Sequence, residues 1–408
     1  MLHWQLQKLE DLTENDRQIT YGVVKPGPED PVDGVKFIRG GDIYEGRILA
    51  ENLRTITADV SSSYRRTLLK GGELVVSLVG NPGHVAIVPG SLAGANLARQ
   101  AGLVALRPDV DAHFVKYFLM SPLGRAELFS QMTGSVQVVI NLANLRGVRV
   151  PLPPLPIQRR IAGILSAYDN LIENSQRRIK ILEEMARRLY REWFVHFRFP
   201  GHEDCRFVES PLGEIPEGWE VKGLGEIADN FDRLRKPLSK IQRAELQGPY
   251  PYYGAAKVFD YVNDFIFDGE YLLMAEDGSV ITSDRAPVLQ LVNERFWPNN
   301  HTHVLRGRPP HSTHYLYLGL LCVDVSPYIT GAAQPKITQE NMNRIPFVSA
   351  AASVHKEFDD LIEPIIRQSQ TLQWQISSLR RARDLLLPRL LSGQIDVEAL
   401  PEPVLSES

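Results

Sequence analysis

The stretch Ile157–Phe194, IQRRIAGILSAYDNLIENSQRRIKILEEMARRLYREWF, decides how the chain is built. Its apolar seam runs Ile161, Leu165, Tyr168, Ile172, Ser175, Ile179, Leu182, Ala186, Leu189, Trp193. The steps alternate between four and three, the heptad pattern of a helix that packs along one narrow face. The pattern predicts one continuous helix over 157–194, entered at Pro151-Leu152-Pro153-Pro154-Leu155-Pro156. Pro156 is tolerated at the first turn, where no backbone N–H is needed.

Adding 197 to each position gives Phe358, Ile362, Ile365, Ser369, Leu372, Ile376, Leu379, Arg383, Leu386, Leu390, the same seam with one charged exception, Arg383. Gly134, Gln137, Ile140 and Asn144 map by that offset onto Gly331, Gln334, Ile337 and Asn341, and Gly72-Glu73 onto Gly269-Glu270. Trp4, Leu6 and Leu9 match Trp219, Val221 and Leu224 at an offset of 215, as loops of different length inside each half would produce. The chain is therefore a tandem duplication, and self-similarity of this kind fixes the architecture. A long helix with one apolar stripe needs a partner stripe; a second chain could supply it, as in a generic dimeric coiled coil, but the tandem copy favours pairing within the same polypeptide.

The expected fold class is α+β: two tandem α/β recognition domains joined by two long antiparallel coiled-coil helices in a pseudo-twofold circular arrangement. The expected boundaries are 1–152, a helical spacer 153–200, 201–349, a second helix 350–396 and a loose acidic tail 397–408. Gly201 and Gly393 stand at capping distance from the two helices, and Pro388 should bend or end the second one early. Within 1–150, Val35–Arg39, Glu73–Val79 and His84–Val88 read as strands between turns, and His113–Met120 and Leu123–Met132 as helices. Tyr271–Met274 repeats the strand that follows Gly72-Glu73.

Composition bounds the function classes. The 408 residues are 43% hydrophobic and 23% charged, with a net charge of −4. Residues 1–150 carry 16 basic and 15 acidic side chains, 151–200 carry 9 and 5, 201–350 carry 14 and 20, and 351–408 carry 6 and 9. A basic stripe can thus coexist with an acidic remainder, and phosphate binding answers to local clusters. Cys205 and Cys322 form no metal or disulfide pattern, no apolar run is long enough for a membrane helix, and Met1–Gln7 shows no signal-peptide pattern. A cytoplasmic location is expected.

No phosphate-binding GxxxxGK[ST] loop, no GxGxxG and no Asx-Pro-Pro-aromatic tetrapeptide occurs, so no nucleotide pocket or methyltransferase centre is signalled. No catalytic residue is expected. His301, His303, His311 and His314 raise a zinc reading; two histidines on one strand face followed by loop residues is the simpler account, and no metal is expected. Groups able to meet phosphates are Arg65, Arg66, Lys70, Arg99 with Gln100, Arg233, Arg235, Lys236, Lys240, Arg306 and Arg308. Asn81, His84, Asn96, Asn300, His301 and Gln334 carry the donors and acceptors that base edges require, Tyr252 and Tyr253 could stack or pack, and Gln137, His303 and Lys336 are further DNA-binding candidates.

At this point the chain resembles the specificity subunits of type I restriction–modification enzymes over essentially its full length. The resemblance rests on Trp4–Leu9, Gly134-Ser135-Val136-Gln137, Val150–Leu155, Ile161–Asp169, Leu182–Ala186 leading to Trp193-Phe194-Val195, Gly218–Val221, Tyr252–Ala255 and Leu387–Gly393. Two departures are visible: Ile157-Gln158 stands where the family has Glu-Gln, and the second copy reads Pro346-Phe347-Val348-Ser349-Ala350 without the proline run. The resemblance implies two domains, each reading one half of a split, asymmetric duplex DNA target, with the helix pair setting the unread gap. It implies two methyltransferase subunits and restriction–translocase subunits as partners; S-adenosylmethionine, Mg²⁺ and ATP would belong to those partners, and this chain would bind none. A protein-binding scaffold or an inactive relative of the family is the alternative.

Overall fold

The computed structural model describes residues 4–130, 139–331 and 334–399. The chain forms two compact units: 1–174 with 375–408, and 175–374. Each unit takes one globular half together with part of each long helix.

In the first unit the strand Gln5–Lys8 pairs antiparallel with Arg149–Leu152, so that Leu6 faces Pro151. A four-stranded sheet follows in the order Thr20–Tyr21, Ala101–Val104, Leu74–Ser77, Val85–Ile87. Leu74, Val75 and Val76 are wholly buried, as an apolar run covered on both faces should be. The turn that feeds this strand needs glycine: Gly71 and Gly72 lie at φ +92° and +88°, where a side chain would be strained. Glu73 closes that turn by accepting the N–H groups of Lys70 and Gly71 at 2.7 and 2.8 Å. A second sheet sets Val35–Ile38 between Arg54–Ile56 and, in parallel, Asn96–Leu97.

The second unit repeats this plan. Glu220–Gly223 pairs with Pro346–Ser349, Val221 facing Val348. The order Ala228–Asn230, Thr302–Gly307, Phe267–Ala275, Leu289–Pro298 reproduces the first sheet, extended here by Gln247–Tyr253 and Val258–Val262. The parallel contact recurs as well: Phe37 faces Asn96 in one half and Tyr252 faces Trp297 in the other. Single hydrogen bonds recur at equivalent places in the two halves. Leu9 N–H donates to Val148 O and Leu224 N–H to Ile345 O, both at 2.8 Å. Ile140 N–H donates to Leu78 O at 3.0 Å and Ile337 N–H to Glu276 O at 2.9 Å.

The first long helix is Leu155–Tyr190, and the second is Ala352–Leu391. In the first unit Ile161, Ala162 and Leu165 share a core with Leu387, Leu390 and Leu391. In the second, Ala186, Tyr190, Trp193 and Phe194 share one with Phe358, Ile362 and Ile366. The start of each helix thus lies beside the end of the other, and the pair is antiparallel. Ile161, Leu165, Ile172, Phe358, Ile362, Leu372 and Ile376 are buried as the heptads require. Ile179, Leu182, Leu189, Ile365, Leu379 and Leu386 are half-buried, and Ile366 and Leu387 take the buried places next to two of them.

Several local expectations are corrected. Arg191–Val195 forms a wider helical turn, which carries the consecutive Trp193 and Phe194 both into the core. The left-handed residue after it is Phe197 at φ +57°, so Gly201 is not the cap. Gly393 is: at φ +68° its N–H reaches Leu390 O and that of Gln394 reaches Arg389 O, at 3.2 and 3.0 Å. Pro388 does not end the helix, because Leu387, Leu390 and Leu391 are buried around it and hold the last turn. Val397 is buried against the first core, so the tail is tied down at its start. The helix expected over Leu123–Met132 is Pro122–Phe129; Met132, Gly134 and Gln137 lie outside the described residues.

Arg383, the charged seam residue, has a counterpart. Its guanidinium donates to Asp169 at 2.6 Å, the Tyr117 hydroxyl donates to the same carboxylate at 2.6 Å, and Lys116 lies 3.6 Å away. Burial alone would raise the Asp169 carboxyl; the hydroxyl and the two cations outweigh it and hold the group below the usual carboxylate range. The positions equivalent by the offset of 197 are Ile366 and Ala186, both buried and apolar.

The two helix starts are anchored by residues that also correspond. Gln158 accepts Asp111 N–H and donates to Pro153 O, each at 2.8 Å. His355, at the equivalent place, accepts Ala350 N–H through Nε2 at 3.2 Å. Pro153 offers only a carbonyl while Ala350 offers an N–H, so the anchoring side chain changes with its partner. Burial, with His311 and Lys222 nearby, pushes His355 from 6.5 down to about 3. A neutral buried imidazole contributes stability above pH 6.5 that is lost as the pH falls toward about 3. In urea titrations, His355→Gln should lose about 2 kcal/mol less than the parent chain between pH 7.5 and 4.5. An identical acid loss in both would sink that assignment.

Candidate nucleic-acid interface

In each globular half, backbone pairing brings the ends of several strands to one edge. In the first half these are the loop after Val35–Ile38, the loop after Leu74–Ser77 and the turn Arg99–Gln100. Leu78 N–H donates to Gln100 O and Ala98 N–H to Ile38 O, both at 2.8 Å. The loops approach so closely that a Cβ on Gly40 would lie 2.4 Å from Val79 O and 2.9 Å from Gln100 O. Arg99, Gln100 and Asn81 are exposed here. His84 is half-buried and stacked on Tyr44 with centroids 5.0 Å apart; its Nδ1 accepts Glu45 N–H at 3.2 Å.

In the second half the same edge is a concavity of about 480 Å³ lined by Gly254, Ala255, Asp277, Gly278, Asn299, Asn300 and His301. Asn300 and His301 are exposed, and the His301 ring is fixed by Asp277 Oδ1 at 2.6 Å. Tyr252 borders the concavity with its body buried, its hydroxyl accepting Leu238 N–H at 3.0 Å. Tyr253 is buried too, its hydroxyl donating to Glu294 at 2.6 Å.

A separate basic concavity of about 570 Å³ in the first unit is lined by Arg65, Arg66, Lys70, Arg17 and Arg146. Arg17 is committed to Glu73 at 2.8 Å and Arg146 to Ile19 O at 2.7 Å, which leaves Arg65, Arg66 and Lys70 exposed at its rim. Asn96 holds this rim in place. Its amide donates to Ser61 Oγ at 3.1 Å and accepts from Thr67 at 2.7 Å, and Arg65–Thr67 form the turn so secured.

Burial removes several expected contacts. Asn96, Tyr252, Tyr253 and His303 are at most 9% exposed, and their polar atoms serve the fold. His303 Nδ1 lies 2.5 Å from Asp232 and Nε2 2.9 Å from Ile337 O. Arg235 donates to Glu276 and to Thr302 O, each at 2.7 Å, and Lys336 reaches Glu276 at 3.0 Å. Burial opposes ionisation of Asp232 and Glu276, yet their cationic and imidazole neighbours hold both below the usual carboxylate range. Among the described residues Asp232, Glu276 and His303 are the one group with metal-ligand spacing. Both ring nitrogens are already engaged and two cations already balance the carboxylates, so the cluster does not fit an added cation. His311 and His314 are turned elsewhere, toward Ser349 and Glu270 at 2.7 and 2.8 Å.

Arg233, Lys236, Lys240 and Gln334 are exposed, as are Arg306 and Arg308; Arg308 is paired with Asp229 at 2.9 Å. Gln137 lies outside the described residues. Residues the sequence reading passed over are Asp277, Asn299 and Gly40. An Asp-Gly turn signal at Asp277-Gly278 could have found the first; for the others what matters is their meeting in space. Arg235→Ala should cost about 3 kcal/mol in a denaturant titration, because it takes the guanidinium from two largely buried carboxylates and leaves Glu276 to Lys336 and Asp232 to His303; a loss under about 1 kcal/mol would mean that water replaces the guanidinium.

Comparison with known proteins fits this arrangement. The family model described as type I restriction modification DNA specificity domain matches residues 1–184 and 216–348. The chain is 24% identical over 422 residues to the type I restriction enzyme MjaIX specificity subunit of Methanocaldococcus jannaschii, covering 97% of this chain and 94% of that one. It is 33% identical over 156 residues, 38% of the chain, to a putative type I restriction enzyme specificity subunit of Haemophilus influenzae, 40% of which is covered. In fold it is similar to the crystal structure of a type-I restriction-modification system S subunit from M. genitalium, with a TM-score of 0.59 at 16% identity, covering 95% and 96% of the two chains. With two family segments in one polypeptide, each on a copy of the same domain, this chain belongs to the type I restriction–modification DNA specificity family.

Proposed function

We propose that the chain is the DNA-reading subunit of a type I restriction–modification complex and has no catalytic centre of its own. It reads a two-part asymmetric duplex target, one part per globular half, and brings the modifying and cutting subunits to that site. The observation that carries this reading is the duplication itself: one backbone plan, built twice, with different polar side chains at the same edge. A symmetric reader would carry identical ones. The long helices, about 54 and 60 Å at 1.5 Å per residue, would set the unread gap, because a rod does not stretch.

The pseudo-symmetric halves suit two copies of a methyltransferase subunit, with restriction–translocase subunits joining them. S-adenosylmethionine, Mg²⁺ and ATP would be bound by those partners. Work on chromosomal DNA implies the cytoplasm, and no described helix is long and apolar enough to cross a membrane.

Base-resolved adenine methylation of genomic DNA, in cells holding this chain with and without its methyltransferase partner, tests the reading. The expected result is a split motif with a fixed gap that appears only when both are present. Absence of any such motif beside an active partner would overturn it. The rim Arg65–Lys70 is assigned to phosphates. Replacing Arg65 and Arg66 together by Ala should weaken duplex binding evenly across sequences and flatten the log–log salt slope by about 1 to 2. A change of sequence preference would instead move these arginines to base reading.

A further inference from the structure

We propose that the turn residues Arg99 and Asn300 are the corresponding base-reading residues of the two halves, Arg99 for a guanine and Asn300 for an adenine. This assignment deepens the proposed function and rests on it.

The two turns are one structural position occupied twice. Gln100 O accepts Leu78 N–H at 2.8 Å, and His301 O accepts Glu276 N–H at 2.9 Å. Ala98 N–H donates to Ile38 O at 2.8 Å, and Asn299 N–H to Tyr253 O at 2.9 Å. Both flanking strands pair with the central strand of their sheet, Ala101 facing Ser77 and Thr302 facing Ala275. The backbone of each turn is therefore anchored on both sides, which is what a reader needs if its side chain is to meet a base edge at fixed distance. Duplication conserved this frame while the side chains diverged, from Arg99-Gln100 in one half to Asn300-His301 in the other.

The chemistry of those side chains fits base edges. Arginine can bind O6 and N7 of guanine through two parallel N–H groups, and asparagine can bind N6 and N7 of adenine. Asn300 carries no charge and gains little from a phosphate alone. Its neighbour His301 is held by Asp277 at 2.6 Å, so its ring orientation is set before any ligand arrives. Part of the wall beside this turn is small: Gly254, Ala255 and Gly278 leave room for a partner to approach the backbone there. In the first half the Gly40 contact with Gln100 O gives the same tight floor. By contrast, the buried Asn96 and Tyr252 have no free polar edge to offer.

The test uses the complete chain with its methyltransferase partner, and the readout is the methylated motif. Arg99→Lys keeps the charge but loses the two-pronged donor, so discrimination at one position of one half-site should fall about tenfold. Asn300→Asp should do the same at one position of the other half-site, and each variant should leave the opposite half and the gap untouched. Both residues are exposed, and an unchanged thermal midpoint confirms folding. A parent chain that yields a split motif while both variants keep it unaltered overturns this assignment alone. Uniformly weaker methylation with the motif intact also overturns it, in favour of a backbone contact. A parent chain that yields no split motif removes the proposed function and this assignment together.

Discussion

A helix of 36 or 40 residues with a single apolar stripe is unstable in water until that stripe is covered. Everything else in the chain depends on how this need is met. The stripe of each helix is covered by the other helix and by the globular half at its end. Ile161 and Leu165 enter one core with Leu387 and Leu390, and Trp193 and Phe194 enter another with Phe358 and Ile362. Because the helices run antiparallel, the first unit is completed by segments from opposite ends of the polypeptide, whereas the second is one continuous segment, 175–374, whose two ends pair. The sequence separation between Asp169 and Arg383 is 214 residues, yet they share a hydrogen bond.

The two halves solve the same junction with different chemistry. The first sets Asp169 between Arg383, Lys116 and Tyr117. The second sets Ala186 and Ile366 among aromatic rings, Tyr190, Phe194, Tyr315 and Phe358, with centroids 4.9 to 6.0 Å apart. A charged cluster needs all of its partners to be favourable, since a stranded buried charge is costly. An aromatic cluster tolerates gradual change. The anchor at each helix start shows the same economy: Gln158 and His355 are both buried, and each is matched to what its neighbour can donate or accept. Once a duplicated frame is fixed, side chains are free to drift wherever the local bonding is still satisfied.

Much of the fold was legible because it repeats. The heptad spacing, the offset of 197 and the turn glycines gave the helices, the duplication and the strand Leu74–Ser77 within a few residues. The errors fell where tertiary packing overrides local rules. Pro388 stays helical because three buried leucines surround it, and Phe197 adopts the left-handed conformation that glycine usually takes. The candidate contacts were less legible. Residue type alone could not separate the exposed Asn300 from the buried Asn96, since both carry the same amide.

What the sequence by itself determined is periodic: an α+β unit present twice, each copy followed by a long helix with a heptad seam, and family motifs in the same order in both. Periodicity survives in one dimension because every repeat of an apolar residue marks the same face. What only the tertiary structure decided is which polar groups remain free. Arg235, His303 and Lys336 are consumed by Asp232 and Glu276, which lie up to 71 residues away along the chain. Arg99 and Asn300 stay exposed on turns whose backbones are held from both sides. Burial and hydrogen-bond satisfaction are properties of a neighbourhood in space, and a linear sequence does not state who the neighbours are.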